Sequence, residues 1–551
     1  MSPAHKRVVA LVVVHGMGSQ RRSETLLQWA EPLLRRLDWV SRGSGGDGVA
    51  FERVALAGDA PDEVNARVRF RGDDGAQHEV VLVVTEARWA ESFLPLQPGE
   101  VFAWGGPFAW RALLRLGSHF TRIIWVNPWW RVVSAPVVAA FWLVLAGTGL
   151  LLTLLFPLVG LLLLVPGVSW LVRGVTSGLA EFVGDVAVWT RRPVRAAAMR
   201  AVVRDGVRSA SVRAALLARA EGEEVDATQV VLLAHSQGAT IAAQTLFDPA
   251  TGEVRVPVDA FVTVGGTLAL LGAPRWTTGR LAGVRAAVAG VPRAERGPGG
   301  AASRFSPVEE WSRLERRPRW LNLWAIWDPF TAGTVSTSMR ARELRWREVY
   351  GGPASDATGP EEHPVHNTAN PFTEHQAYAR NTAQVIDPLV RLLTGIALAD
   401  PGAPARGAAH ARSVRQLGVG RILALVLALA LLVSPAVPAA LSSVVDLLAL
   451  GTAPHPALGP IVAVVVGVVA LWGNGVLWRG WAARVEWTPP GTPAPKVWTG
   501  GFVVRAVLLV GVWLAVGGPA VVHPVWAALA AVAVLVLPEF WRLPRVLPER
   551  R

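Results

Sequence analysis

The chain has 551 residues, no cysteine and a formal charge of +13, and with 52% hydrophobic residues, 25 Trp and a mean hydropathy of +0.36 it is too apolar for an ordinary soluble enzyme of its size. Zero Cys excludes disulfides, thiolate metal sites and a cysteine nucleophile. The positive charge points to anionic lipid headgroups and away from nucleic acid, because the Arg residues are scattered or border apolar stretches and form no aromatic-basic binding module. Lys6 and Lys496 are the only lysines, a preference for Arg that fits a GC-rich bacterial genome.

Arg7–Gln20 (RVVALVVVHGMGSQ) reads as a buried strand running into a His-Gly turn with a second Gly two residues on. The turn resembles an oxyanion loop, which lends a backbone N–H to a tetrahedral intermediate. His15, Gly16 and Gly18 shape it and Met17 is the expected donor, with Gly16 and Gly18 as alternatives. A phosphate-binding loop would need G-x-x-x-x-G-K-[ST] or G-x-G-x-x-G, and neither is present. Nor is this a secretory signal, since its apolar core of roughly seven residues meets His15 with no small-residue cleavage site. Arg42–Gly48 is a Gly-rich loop, and Val80–Ala87 reads as another strand.

Val132–Val172 carries no charged residue and is long enough for two membrane spans of ~20 residues each, with Pro157 and Pro166 inside. Trp125, Trp129, Trp130 and Arg131 form an aromatic and basic border before it. Trp189–Ala220, with Arg every few residues among Ala, Val and Leu, is an amphipathic helix expected to pack on the sheet, the alternative being a place at the headgroups.

Val230–Ile241 (VVLLAHSQGATI) is the most informative segment. A β-branched run ends in a small-x-Ser-x-small turn and continues as a helix former. A serine at a sharp strand-to-helix turn projects its hydroxyl above the sheet, while the following N–H and the helix N-terminus face developing negative charge. Ser236 is therefore the candidate nucleophile and Gln237 the second oxyanion donor. Ala234 and Gly238 leave room for the turn, with His235 inside it; the plain alternative is a helix N-cap serine.

Gly272–Ser303 is a second Gly-rich loop. Trp320–Phe330 (WLNLWAIWDPF) then reads as a strand delivering Asp328 at its carboxyl end, where catalytic acids sit, although Asp before Pro is also a common turn. Val365–Asn381 (VHNTANPFTEHQAYARN) reads as a polar loop meeting the start of an amphipathic helix. It offers His366 and His375, with His363 just upstream, and His375 is chosen because helix formers and Tyr378 follow it; His363 and His366 lie in an approach that reads as solvated.

Taken together, HGMGSQ at His15–Gln20, AHSQG at Ala234–Gly238, VTVGGTL at Val262–Leu268, WDPF at Trp327–Phe330 and EHQAYARN at Glu374–Asn381 resemble the α/β-hydrolase-fold serine hydrolases of the bacterial lipase-like or esterase-like kind. The resemblance covers roughly residues 7–130 and 175–395. It implies an α/β fold with a doubly wound, mostly parallel sheet, Ser236 as nucleophile, His375 as general base and then acid, and Asp328 as the group that orients His375. The order Ser, Asp, His is that family's order. Ala234 departs from the usual Gly, and Gly266-Thr267 stands where relatives often have Ser-Pro. No cofactor is expected, and no metal-ligand spacing is present.

The expected organisation is a hydrolase domain in two parts, residues 1–131 and 173–398, interrupted by a membrane hairpin at 132–172. A linker at 399–420, a membrane region at 421–541 and a basic tail at 542–551 follow. Within the membrane region four spans are expected, at about 422–448, 458–478, 502–517 and 524–540. The connectors around 409–421, 479–500 and 541–551 carry Arg or Lys and those around 449–457 and 518–523 carry no charge, so about six spans with the hydrolase on the cytoplasmic side are expected. The lipid bilayer and an ester-type lipid or acyl substrate are the expected partners. Two other classes remain open: a catalytically silent membrane binding or signalling protein on a hydrolase fold, and a transporter, for which Asp446 and Arg505 are the few charges in spans.

Overall fold

The computed structural model describes residues 5–18, 20–56, 62–71, 75–90, 192–223, 228–248, 258–271, 307–325, 360–368, 373–394 and 498–515, single positions at 256, 328, 330 and 331, and scattered positions between 110 and 189 and between 410 and 487. The chain divides into two units, one of residues 1–365 and 375–399, the other of 366–374 and 400–551.

The first unit is built on an eight-stranded sheet in the order β2-β3-β4-β1-β5-β6-β7-β8. The strands are β1 (His5–Val14), β2 (Gly48–Ala55), β3 (Glu63–Arg71), β4 (Gln77–Ala87), β5 (Thr228–His235), β6 (Ala260–Val264), β7 (Arg319–Ala325) and β8 (Glu361–Val365). From β4 to β8 all neighbours are parallel, whereas β2 and β3 join as an antiparallel extension. The sheet is thus α/β and mostly parallel. After β1 the chain goes out to the β2 edge and steps back through β3 to β4, beside β1; from β5 onward it builds the other way, so β1 and β5 flank the point where strand order reverses. In open α/β sheets, ligands bind at the carboxyl ends of the strands beside such a point.

Residues 8–14 of β1 are all fully buried, because helices cover both faces of a central parallel strand. Val9, Leu11 and Val13 face one core and Val8, Ala10, Val12 and Val14 the other, as the two-residue period of a strand requires. Helix α1 (Glu24–Gly43) buries Leu26, Trp29, Leu33 and Leu37, at spacings of three and four, in the first core. Helix α2 (Pro193–Ala220) covers the other face, with Met199, Val203, Val207, Ala210, Ala214 and Ala218 inward. Packing on the sheet is therefore its role here.

Helix α3 (Gln237–Phe247) follows β5 directly, α4 (Leu268–Leu271) follows β6, and α5 (Pro307–Ser312) precedes β7. The approach to His375 differs from its reading as solvated. Glu361–Val365 is the edge strand β8, where Pro364 is tolerated because an outer strand has a side that needs no donor. His366, read as solvated, is fully buried, and His363 is mostly buried. His375 itself lies in a turn. The helix begins later, as Tyr378–Arg380, Thr382–Ile386 and finally α6 (Asp387–Thr394), whose Leu389, Val390 and Leu393 join the α1 core.

In the second unit the buried Glu374 carboxylate accepts from the amides of Asn367 and Thr368 at 2.8 and 2.7 Å, and His410 Nε2 lies 2.9 Å from the His366 carbonyl. Helix α7 (Trp498–Ala515) carries Arg505, which is buried. The expected spans at 132–172, 422–448 and 524–540 fall largely or wholly outside the described residues, as does Gly272–Ser303, and 458–478 is described at about half of its positions. Among the described residues no helix is long and apolar enough to cross a membrane.

Candidate active site

Two turns meet at the carboxyl end of the sheet because β1 and β5 pair in register, Val14 opposite Ala234. Each turn follows its strand immediately. Ser236 stands between the end of β5 and the start of α3 with φ 55° and ψ −124°, a strained conformation for a residue with a side chain. The turn is braced on both sides. The Ser236 amide donates to the Val264 carbonyl at 3.0 Å, and its carbonyl accepts from the Thr267 amide at 3.2 Å and the Ala239 amide at 3.1 Å. Thr267 Oγ1, bonded to Thr240 Oγ1 at 3.0 Å, adds a contact to the same carbonyl at 3.3 Å. Thr267 thus fills with hydrogen bonds the place where the resembled family often carries proline.

Two glycines permit this approach of backbone to backbone. A Cβ on Gly16 would lie 2.7 Å from Ser236 Cβ and 3.2 Å from its Oγ, and one on Gly238 would overlap the His15 carbonyl oxygen. Ala234, in the first small position, is fully buried at the last turn of β5.

Ser236 occupies the N-cap position of α3, but its hydroxyl makes no capping bond. Instead Oγ lies 2.7 Å from His375 Nε2, while His375 Nδ1 lies 2.7 Å from Asp328 Oδ2. With the carboxylate accepting, Nδ1 carries the proton and Nε2 is left to accept from the serine hydroxyl. All three residues are buried. The Asp328 carboxylate takes two further donors, the Tyr378 hydroxyl on Oδ2 at 2.8 Å and the Phe330 amide on Oδ1 at 2.9 Å. Tyr378 in turn accepts from the Ala325 amide at 2.7 Å, tying the end of β7 to the segment after His375. The Phe330 ring lies 4.7 Å from the His375 ring.

Two further histidines support the turns and stay neutral. Burial, with Arg88 as a lesser contribution, pushes His15 down to about 4. Its Nδ1 bonds the Gly16 carbonyl at 2.8 Å and its Nε2 accepts from the amides of Trp89 and Ala90, both at 3.1 Å. The Trp89 indole stacks on the ring at 4.3 Å and donates to the His15 carbonyl at 3.1 Å, so the His-Gly turn is pinned to the end of β4. Burial and then the neighbouring His375 push His235 down to about 3. Its Nε2 donates to the His375 carbonyl at 3.1 Å, holding the backbone beneath that imidazole.

Of the expected oxyanion donors, Gly18 is excluded: its amide donates to Asp185 Oδ2 at 2.7 Å. The amides of Met17 and Gln237 make no hydrogen bond among the described residues, and Gln237 is the first residue of α3, where helix geometry leaves N–H groups unsatisfied. Two participants escape motif reading, Asp185 and Tyr378. Only the three-residue step from His375 to Tyr378 hinted at the second. Among the described residues no cluster of His, Asp and Glu could hold a metal ion.

The arrangement can activate a hydroxyl: a base in contact with it, a carboxylate orienting the base, and free amides beside the nucleophile. No protein-family model, curated protein sequence or solved structure matches this chain.

Proposed function

We propose that the protein is a membrane-integrated serine hydrolase of the α/β-hydrolase kind, cleaving ester-type lipid or acyl substrates. The carrying observation is the continuous line Asp328–His375–Ser236, with both links at 2.7 Å and the serine held at positive φ on a strand-to-helix turn. In this reading Ser236 attacks the substrate carbonyl as His375 Nε2 takes its proton, and the amides of Met17 and Gln237 receive the oxyanion. His375 then protonates the leaving alcohol. Water, activated by the same imidazole, releases the acyl group from Ser236.

The membrane part of the proposal rests on the apolar stretches and on exposed side chains within them. Leu143, Leu150, Leu151 and Leu154 are exposed in the first unit, as are Val465, Val468, Val469 and Trp472 in the second. Because β1 and β5 pair in one sheet, the insertion between them begins and ends on one side of the bilayer. The basic connectors put that side in the cytoplasm. The hairpin then holds the site at the bilayer surface, where lipid or acyl substrates are concentrated.

The test is labelling of the detergent-solubilised full chain with a fluorophosphonate, beside Ser236→Ala, Asp328→Asn and His375→Ala. Labelling lost in Ser236→Ala and sharply reduced in the other two supports the proposal. A folded wild-type protein that takes no label overturns it in favour of a catalytically silent membrane protein.

A further inference from the structure

We infer that Asp185 is a positioning residue that clamps together the two backbone segments carrying the oxyanion donors. The inference rests on the proposed serine hydrolase reading. Asp185 bonds both segments: its Oδ2 accepts from the Gly18 amide at 2.7 Å, and its main-chain oxygen accepts from the Gln237 side-chain amide at 3.1 Å. Gly18 is the residue after Met17, and Gln237 is itself the second donor. One residue thereby reaches both turns at the strand-order reversal.

The anchor is firm because of what surrounds it. Val186, Val188 and Trp189 are buried, the last two in the core beneath α2. The Arg192 amide bonds the Val188 carbonyl at 2.9 Å, joining this stretch to the start of α2. On the opposite side Gly16 presses against Ser236. Met17 therefore sits between a residue packed on the nucleophile and a residue bonded to Asp185, with its own amide left over. A donor stabilises a developing oxyanion only if it already points at that oxygen before reaction, since reorientation during the step would consume the gain.

The carboxylate also answers an alternative use for the Gly18 amide. Without Asp185, Gly18 would offer a competing N–H in the same turn, and the turn could settle with either amide toward the substrate. With it, Gly18 is occupied, and Met17, with Gly16 before it, keeps an amide that can face the substrate. The charge is not what this role needs, because a negative group near an oxyanion opposes it. What is needed is an acceptor at the position of Oδ2, and an asparagine supplies one.

The test compares Asp185→Ala, Asp185→Asn and Gln237→Leu in the full chain, measuring kcat and KM on a short p-nitrophenyl ester, with rates normalised to fluorophosphonate-titrated active sites. Asp185→Ala is expected to lower kcat about ten- to a hundred-fold with KM within about two-fold. Asp185→Asn is expected to recover most of the loss, and Gln237→Leu, which keeps its backbone amide, to show a smaller fall in kcat. Normalisation removes any loss of folded protein. Wild-type kcat per titrated site in Asp185→Ala, or an Asp185→Asn as slow as the alanine variant, overturns the inference. An inactive, unlabelled wild type instead removes the hydrolase reading beneath it.

Discussion

The Tyr378 hydroxyl donates to Asp328 Oδ2 at 2.8 Å, the same carboxylate oxygen that faces His375 Nδ1 at 2.7 Å. It also accepts from the Ala325 amide, so the phenol is a rigid spacer between the end of β7 and the candidate triad. Tyr378→Phe leaves that buried amide unsatisfied and the carboxylate free to turn. Loss of such a partner costs about 1–3 kcal/mol. The expected outcome is a lower thermal midpoint and about a ten-fold fall in kcat on a soluble ester, since a misaligned base is felt directly. Unchanged kcat in the phenylalanine variant would show that His375 and Phe330 alone hold Asp328.

Gly16 presses on Ser236, the candidate nucleophile, with no room for a methyl group. Gly16→Ala places a carbon 2.7 Å from Ser236 Cβ, and both atoms are borne by constrained turns. The serine must shift, so fluorophosphonate labelling is expected to slow by about a hundred-fold. Circular dichroism of the variant is expected to match wild type, because the strands on either side are untouched. Labelling at the wild-type rate would mean the two turns separate easily in solution.

Acid should weaken the fold through His15 and His235. Both are held neutral in the folded protein, at about 4 and about 3 against 6.5 for the free side chain, so below 6.5 the unfolded chain binds more protons. Their stabilising contribution is complete above 6.5 and drains away as pH falls toward those lower values. Thermal midpoints measured between pH 7.5 and 4.5 should decline, and His15→Asn should show a shallower decline over the same window. Parallel curves would assign the acid sensitivity to other groups.

Arg36 and Asp387 form a bidentate pair at 2.7 and 3.0 Å that joins α1 to the first residue of α6, and both side chains are about 1% exposed. Asp387→Ala removes the carboxylate that pairs a buried guanidinium and is expected to cost about 3–5 kcal/mol. Arg36→Met with Asp387→Leu should recover most of that loss, read as the thermal midpoint. Activity per folded molecule should be unaltered in both, as the pair joins α1 to α6 and neither residue belongs to the candidate triad.

The strands with long β-branched runs were legible because burial on both faces demands them: β1, β4, β5 and β7 all appear in the residue pattern. β2 and β3 were not singled out, since GVAFERVA and EVNARVRFR lie on the antiparallel side, where polar residues are tolerated. β8 is not legible as a strand, and its histidine reads as solvated, because EEHPV carries charge and proline, which an edge permits and a central strand forbids. At the site, Ser236, Asp328 and His375 were chosen because each follows or precedes a recognisable element, and their atoms lie in hydrogen-bonding contact. Asp185 was illegible for the opposite reason. It meets Gly18 across 167 positions, through hydrogen bonds that no local motif announces.

The separation of the interacting groups has a temporal consequence during synthesis. His375 follows Ser236 by 139 positions and Asp328 by 47, and β5 must insert beside a β1 made more than two hundred residues earlier. Contacts this distant form late, after the closure of long loops. A growing chain that has not yet emitted His375 carries an inert alcohol at position 236. On the proposed reading, Ser236 is therefore armed only once nearly all of the first unit has left the ribosome.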